Sequence, residues 1–118
     1  MKTMIAVQNE IIAEMPEALT TYGNLLDPII SEFPAVVVDC AEVETLPGSS
    51  QSPIIAYYYD LYIIVKIEDS IAAARTAALE YLDTISGRVH IEGRVQIYET
   101  VVSEYEVTVV KFLIVEDA

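Results

Sequence analysis

A single cysteine, Cys40, occurs among the 118 residues, so the chain cannot close a disulfide within itself. Nothing in that usage argues against a reducing cytosol. Basic residues are also scarce: six Lys and Arg stand against nineteen Asp and Glu, for a net charge of −13. Neutralising phosphates takes a basic surface, and its lack disfavours direct nucleic-acid binding. No apolar run approaches the ~20 residues needed to cross a bilayer, so no membrane span is expected. Lys2 is followed by Gln8, Asn9 and Glu10, which interrupt any signal-peptide core. With His90 the only histidine, the paired-histidine and cysteine-cluster metal motifs are absent, and no EF-hand spacing occurs.

What is present is an apolar excess. The hydrophobic share is 53%, against the roughly 45–50% usual in soluble chains. The excess of apolar over charged residues points to apolar surface buried against another subunit. The acidity itself fits a solvated surface, a basic protein partner, or a surface that must avoid nucleic acid. The length suits one domain with a real core, and no repeat or second domain is visible.

The chain is organised around Ile54 to Ile67. Its odd positions (Ile55, Tyr57, Tyr59, Leu61, Ile63, Val65 and Ile67) are all apolar, as one buried face of a strand requires. Before it, Met4, Val7, Ile11, Met15, Ala18, Leu19, Tyr22 and Leu26 recur at helical spacing. That predicts an amphipathic helix over 2–22, with a kink or restart at Pro16 and a stop at Gly23-Asn24. Asp27-Pro28 is expected to cap one further short turn, and Phe33-Pro34 to force extended chain. Ala35 to Glu44 reads as a strand whose alternation runs through Cys40, Glu42 and Glu44. Leu46 to Pro53 reads as a loop, and the flanking strands as an antiparallel hairpin.

At Glu68-Asp69-Ser70 the period switches from 2 to 3.6. An alanine-rich helix is predicted to about Ser86, burying Ile71, Ala74, Ala78, Tyr81, Leu82 and Ile85 and ending at Gly87. Val89, Ile91, Val95 and Ile97 alternate with polar residues, with Gly93 as a bulge. Val102 to Val115 is the last strand. The expected fold is therefore α+β in the order α-β-β-α-β-β, a four-stranded, mostly antiparallel sheet with helices on one face.

Candidate chemistry is sparse. Cys40 and His90 would need to meet, with the thiol pKa lowered, to act as a nucleophilic pair; Asp39 beside Cys40 works against that. Glu42/Glu44 and Glu104/Glu106 are i, i+2 carboxylates, read as solvated edge charges that discourage strand pairing rather than as cation ligands. The uncharged loop at 46–53 is an interaction loop or a plain linker; its single glycine and lack of lysine exclude a phosphate cradle. No catalytic, cofactor-binding or metal residue is assigned. Tyr57 and Tyr59 are expected in the core. Tyr58, Tyr62 and Ile64 on the even face, with Val110 and Phe112 from the last strand, are the expected subunit interface.

Taken together, the N-terminal helix, Phe33-Pro-Ala-Val-Val-Val38, the hairpin, the tyrosine-rich strand, the helix Asp69–Ile85 and two closing strands resemble the tail-terminator (tail-completion) proteins of long-tailed bacteriophages and prophages. The resemblance implies a structural, non-enzymatic role. Its expected form is a ring, usually hexameric, that caps the tail tube and joins it to the head. Expected partners are further copies, tail-tube and head-connector proteins, in the host cytoplasm during assembly and then in the virion. Acidic channel walls would suit passage of DNA. The rival expectation is an acidic inhibitor or immunity-type protein that neutralises a basic partner, since complementary potentials speed and select association. A small α+β enzyme would need a pocket with convergent polar groups, which the sequence does not show.

Overall fold

The period-two stretch forms the middle of the sheet. A computed structural model describes residues 2–23, 30–49 and 52–117. In order, the elements are α1 (Met4–Ala13), β1 (Thr20–Tyr22), β2 (Ala35–Ser49), β3 (Ser52–Lys66), α2 (Ile71–Ser86), β4 (Glu92–Val102) and β5 (Tyr105–Asp117). The sheet order is β1-β2-β3-β5-β4. β1 runs parallel to β2, and every other pairing is antiparallel. This is an α+β domain with five strands rather than the expected four.

The extra strand comes from residues read as helix. α1 starts at the Thr3 cap, whose hydroxyl accepts from Ala6 N–H, and it stops after Ala13 because Pro16 cannot continue the bond pattern. Thr20-Thr21-Tyr22 are β-branched and aromatic, and they pair with Ala35-Val36-Val37 instead of coiling. Met4, 39% exposed, and Ala18 lie at the surface despite the spacing, but Met15, Leu19 and Tyr22 are all buried. A helix would set all three on one side. In the fold Met15 and Leu19 join the helix-side core, whereas Tyr22 packs on the opposite face of the sheet. The Asn24 stop and the Asp27-Pro28 turn lie outside the described residues.

Both helices cover one face of the sheet. Val7 and Ile11 of α1, with Ala78 and Ile85 of α2, pack on Tyr57, Tyr59, Leu61 and Ile63 of β3 and on Val110, Phe112 and Ile114 of β5. Two phenols tie α1 down: Tyr57 donates to Lys2 O at 2.9 Å and Tyr59 to Met4 O at 2.7 Å. Ser70 caps α2 through Ala73 N–H. Ile71, expected in the buried stripe, is instead 50% exposed: it is the first helical residue, and burial on this helix begins at Ala74.

The hairpin is longer than its sequence indicates. β2 and β3 pair through Leu46↔Ile54 and Ser49↔Ser52, so most of the expected 46–53 loop is strand. Among the described residues β5 reaches only to Ala56, opposite Asp117, and the described hairpin beyond that level is a two-stranded arm. A register shift between Cys40 and Glu42 marks a bulge at Ala41. It inverts the strand's facing: Cys40 lies opposite Tyr59 on the helix side, whereas Glu42 lies opposite Tyr58 on the other. The alternation expected to carry Cys40, Glu42 and Glu44 on one face is therefore broken in the middle. A second shift, between Glu92 and Gln96, falls where Gly93 takes φ +69°, as the sequence indicated. The last two strands close on Ser103-Glu104, both at positive φ, a two-residue hairpin turn that non-glycine residues adopt under strain.

Candidate assembly interface

Among the described residues, the face away from the helices is covered at one end only. There Ala35, Val37, Ile64, Val107 and Val109 form a second small core beneath Tyr22 and Ile30, flanked by Phe33, Tyr62 and Val102. The Tyr22 hydroxyl accepts from Ser31 and Glu32 N–H at 3.4 Å, which fastens that segment over the sheet. Phe33 meets Tyr105 edge-on at 5.6 Å between ring centroids, and Lys66 Nζ lies 4.4 Å from the Tyr105 centroid.

Beyond this cover the even face of β3 is open, in three cross-strand rows. Glu42, Tyr58 and Val115 form the first; Asp39, Asp60 and Leu113 the second; Tyr62, Lys111 and Gln96 the third, which runs on into the buried Val37. Tyr58, Tyr62, Leu113 and Val115 are half-buried, an apolar diagonal set among carboxylates. Asp39 and Asp60 oppose each other directly, an unfavourable pairing that Lys111 relieves from 3.9 Å from Asp60. The Lys111 ammonium also lies 5.5 Å from the Tyr62 ring centroid. The Tyr58 hydroxyl donates to the Glu44 carboxylate, which holds its proton and raises its pKa above the usual phenol range. Burial raises the Tyr62 pKa, and the charge of Asp60 adds to the shift. Both phenols thus stay neutral at physiological pH, with an apolar ring and a polar tip.

The expected interface residues divide. Tyr58 and Tyr62 lie on the open face. Ile64 shares that face but is only 3% exposed, sealed in the second core. Val110 and Phe112, at 0% and 2%, belong to the helix-side core, since the register sets them opposite Ile63 and Leu61. These three are core of the single chain and not available surface. Leu113 and Val115, one residue out of step with Phe112 and Ile114, are the β5 residues on the open face. Strict alternation with Lys111 would have identified them.

The remaining candidates are dispersed. Cys40 Sγ lies 3.9 Å from Glu42 O, and burial, then the Asp39 charge, raises the thiol pKa, opposite to what a nucleophile needs. β3 and β5 separate its strand from β4, which His90 precedes, and His90 lies 3.2 Å from Glu92. Glu104 sits in the β4–β5 turn rather than beside Glu106 on a strand. Among the described residues no group of three or more His, Cys, Asp or Glu is arranged to hold a metal ion. No described helix is long and apolar enough to cross a membrane.

One latch escaped the sequence reading because its parts are distant in the chain. Arg75 of α2 reaches Glu99 of β4 with Nε–Oε2 at 2.8 Å, and the Thr108 hydroxyl donates to the same carboxylate at 3.1 Å. The bond from Arg75, followed by that from Thr108, holds the Glu99 carboxyl below the usual range. A lowered folded-state pKa contributes stability above the unfolded value of about 4.3, and that stability is lost as pH falls through the folded value. Arg75→Ala is therefore expected to lower Tm at pH 7, with the gap to the parent closing in acid. Thermal melts from pH 7 to 2 check this; a gap independent of pH would show that Arg75 acts by packing alone.

Compared with protein-family models and with curated proteins, the sequence matches none.

Proposed function

We propose that the chain is a structural assembly protein of the tail-terminator kind, non-enzymatic, forming a ring that caps a tail tube and joins it to a head. The observation that carries this reading is the one-sided sheet. Helices bury one face, while Tyr58, Tyr62, Leu113 and Val115 remain half-covered on the other. A ring gives each protomer a neighbour for such a face through repeated heterologous contacts. The long β2–β3 arm adds reach to that contact.

A second reading rests on the carboxylates of the same face. Asp39, Glu42, Glu44 and Asp60 surround Tyr58, and a basic protein partner would complement them. The two readings respond oppositely to salt. Burial of the apolar diagonal persists as ionic strength rises, whereas a charge-led contact weakens.

Native mass spectrometry and light scattering over a concentration series test the proposal. The expected species is a sixfold ring, alone or once tail-tube protein is added. Leu113→Lys with Val115→Lys is expected to return it to smaller species with unchanged circular dichroism. A chain that stays monomeric with and without tube protein, encoded away from tail and head genes, would overturn the reading.

A further inference from the structure

The two edges of the sheet are unequal. On one side β1 covers only Ala35–Val37 of β2, and the exposed length beyond is blunted by the Ala41 bulge and by Glu42 and Glu44. On the other side lies β4, eleven residues long, with nothing paired to its outer side among the described residues. From Val95 to Val102 its one charged residue is Glu99, which Arg75 neutralises from within the same chain. That run contains no proline and is rich in β-branched and aromatic residues. In a chain of net charge −13, it is a stretch where two copies can approach without facing uncompensated charge.

The backbone bonding of this edge follows from the register. Ile67 N–H donates to Glu106 O at 2.9 Å, so even-numbered residues of β5 turn their peptide groups toward β3 and odd-numbered ones toward β4. The two-residue turn closed by Val102 and Tyr105 agrees. Even-numbered residues of β4 therefore bond to β5, and Ile97, Glu99 and Val101 direct their N–H and C=O outward. The exposed large apolar side chains on this strand are Tyr98, at 38%, and Val101, at 64%.

We infer that β4 pairs antiparallel with β4 of a second copy across a two-fold axis at Tyr98, joining two five-stranded sheets into one. This register places Tyr98 against its own counterpart on the open face and Val101 against Val95 on the helix side. It bonds Ile97 and Glu99 of one copy to Glu99 and Ile97 of the other. It covers both exposed apolar side chains of the edge and satisfies its free peptide groups. The contact is isologous and independent of the ring proposed above, which uses the sheet face.

Sedimentation equilibrium tests it in the Leu113→Lys/Val115→Lys chain, which lacks the face contact and serves as the parent here, and in the same chain with Val101→Pro. The Val101 peptide N–H faces outward and its side chain is exposed, so proline there removes an intermolecular donor and spares the bonds to β5. The parent is expected to dimerise, and Val101→Pro to weaken the dimer about tenfold or more with its melting temperature retained. Val101→Lys, which only charges the edge, is the second variant should proline disturb folding. In a Cys40→Ser background, Tyr98→Cys is expected to form an oxidised, disulfide-linked dimer, because this register sets the two positions directly opposite. Val101→Cys in the same background is not. A parent that remains monomeric, a dimer indifferent to both Val101 variants, or a cross-link at 101 rather than 98 would overturn the inference. An edge that binds only strands of another protein, with the chain itself monomeric, would overturn it as well.

Discussion

Phe112→Ala is expected to destabilise the fold by about 3–5 kcal/mol, the usual cost of emptying a buried aromatic position. Phe112 is 2% exposed and lies opposite Leu61 in the core between the helices and the sheet. Since domains of this size hold roughly 5–15 kcal/mol in total, the variant should lose a large fraction of its margin. Tm is expected to fall by about 10–25 °C. Leu113→Ala is the internal control. It is one residue further along, half-buried on the opposite face, and its expected cost is about 1 kcal/mol or less, because less area leaves water on folding. Denaturant titrations of both variants read the difference. Equal losses would mean that β5 buries both faces within a single chain, leaving no open face for assembly.

Ile64→Glu should be the more damaging of two acidic substitutions on the even face of β3. Ile64 is 3% exposed and sits between Ala35 and Val109, so a carboxylate there is stripped of water without a designed partner. Costs of about 4 kcal/mol or more are typical of that mechanism. Such a carboxyl is pushed toward its neutral form, so its folded-state pKa rises above the unfolded value. The penalty therefore grows as pH climbs above about 4.3 and shrinks below it. Tyr62→Glu, two residues back on the same face, starts from a half-buried position and should leave the monomer folded. Melts of both variants at pH 4 and 7 check the contrast. A folded Ile64→Glu chain with only its assembly altered would show that the second core is not a core, and would restore Ile64 as an interface residue.

Much of this architecture was legible because periodicity reports burial directly. The odd face of β3 and the Ala74, Ala78 and Ile85 stripe of α2 follow from spacings of two and 3.6. A cap at Asp69 or Ser70 (the structure uses Ser70), the bulge at Gly93 and the hairpin pairing follow from local backbone chemistry. The misreadings share one cause. Met15, Leu19 and Tyr22 satisfy a helical spacing, yet spacing records only that a residue is buried, not on which side of which element. The Leu46–Pro53 segment has turn-forming composition, but cross-strand pairing outweighs that local preference.

The candidate site was legible to a lesser degree. Tyr58 and Tyr62 emerge from the alternation of one strand. Alternation with Lys111 sets Leu113 and Val115 apart from Phe112, but that their face is the open one follows from the register of β5 against β3, and the cover over Ile64 comes from Tyr22 and Ile30, far off in sequence. The Arg75–Glu99–Thr108 latch likewise joins three elements. Local sequence was enough to set which segments bury a face and where helices start, because those choices depend on neighbours within a few residues. The parallel strand at Thr20–Tyr22, the inversion at Ala41, the side of the sheet left open and the free β4 edge were decided by tertiary pairing, because each depends on a hydrogen-bonding or packing partner far away in the chain.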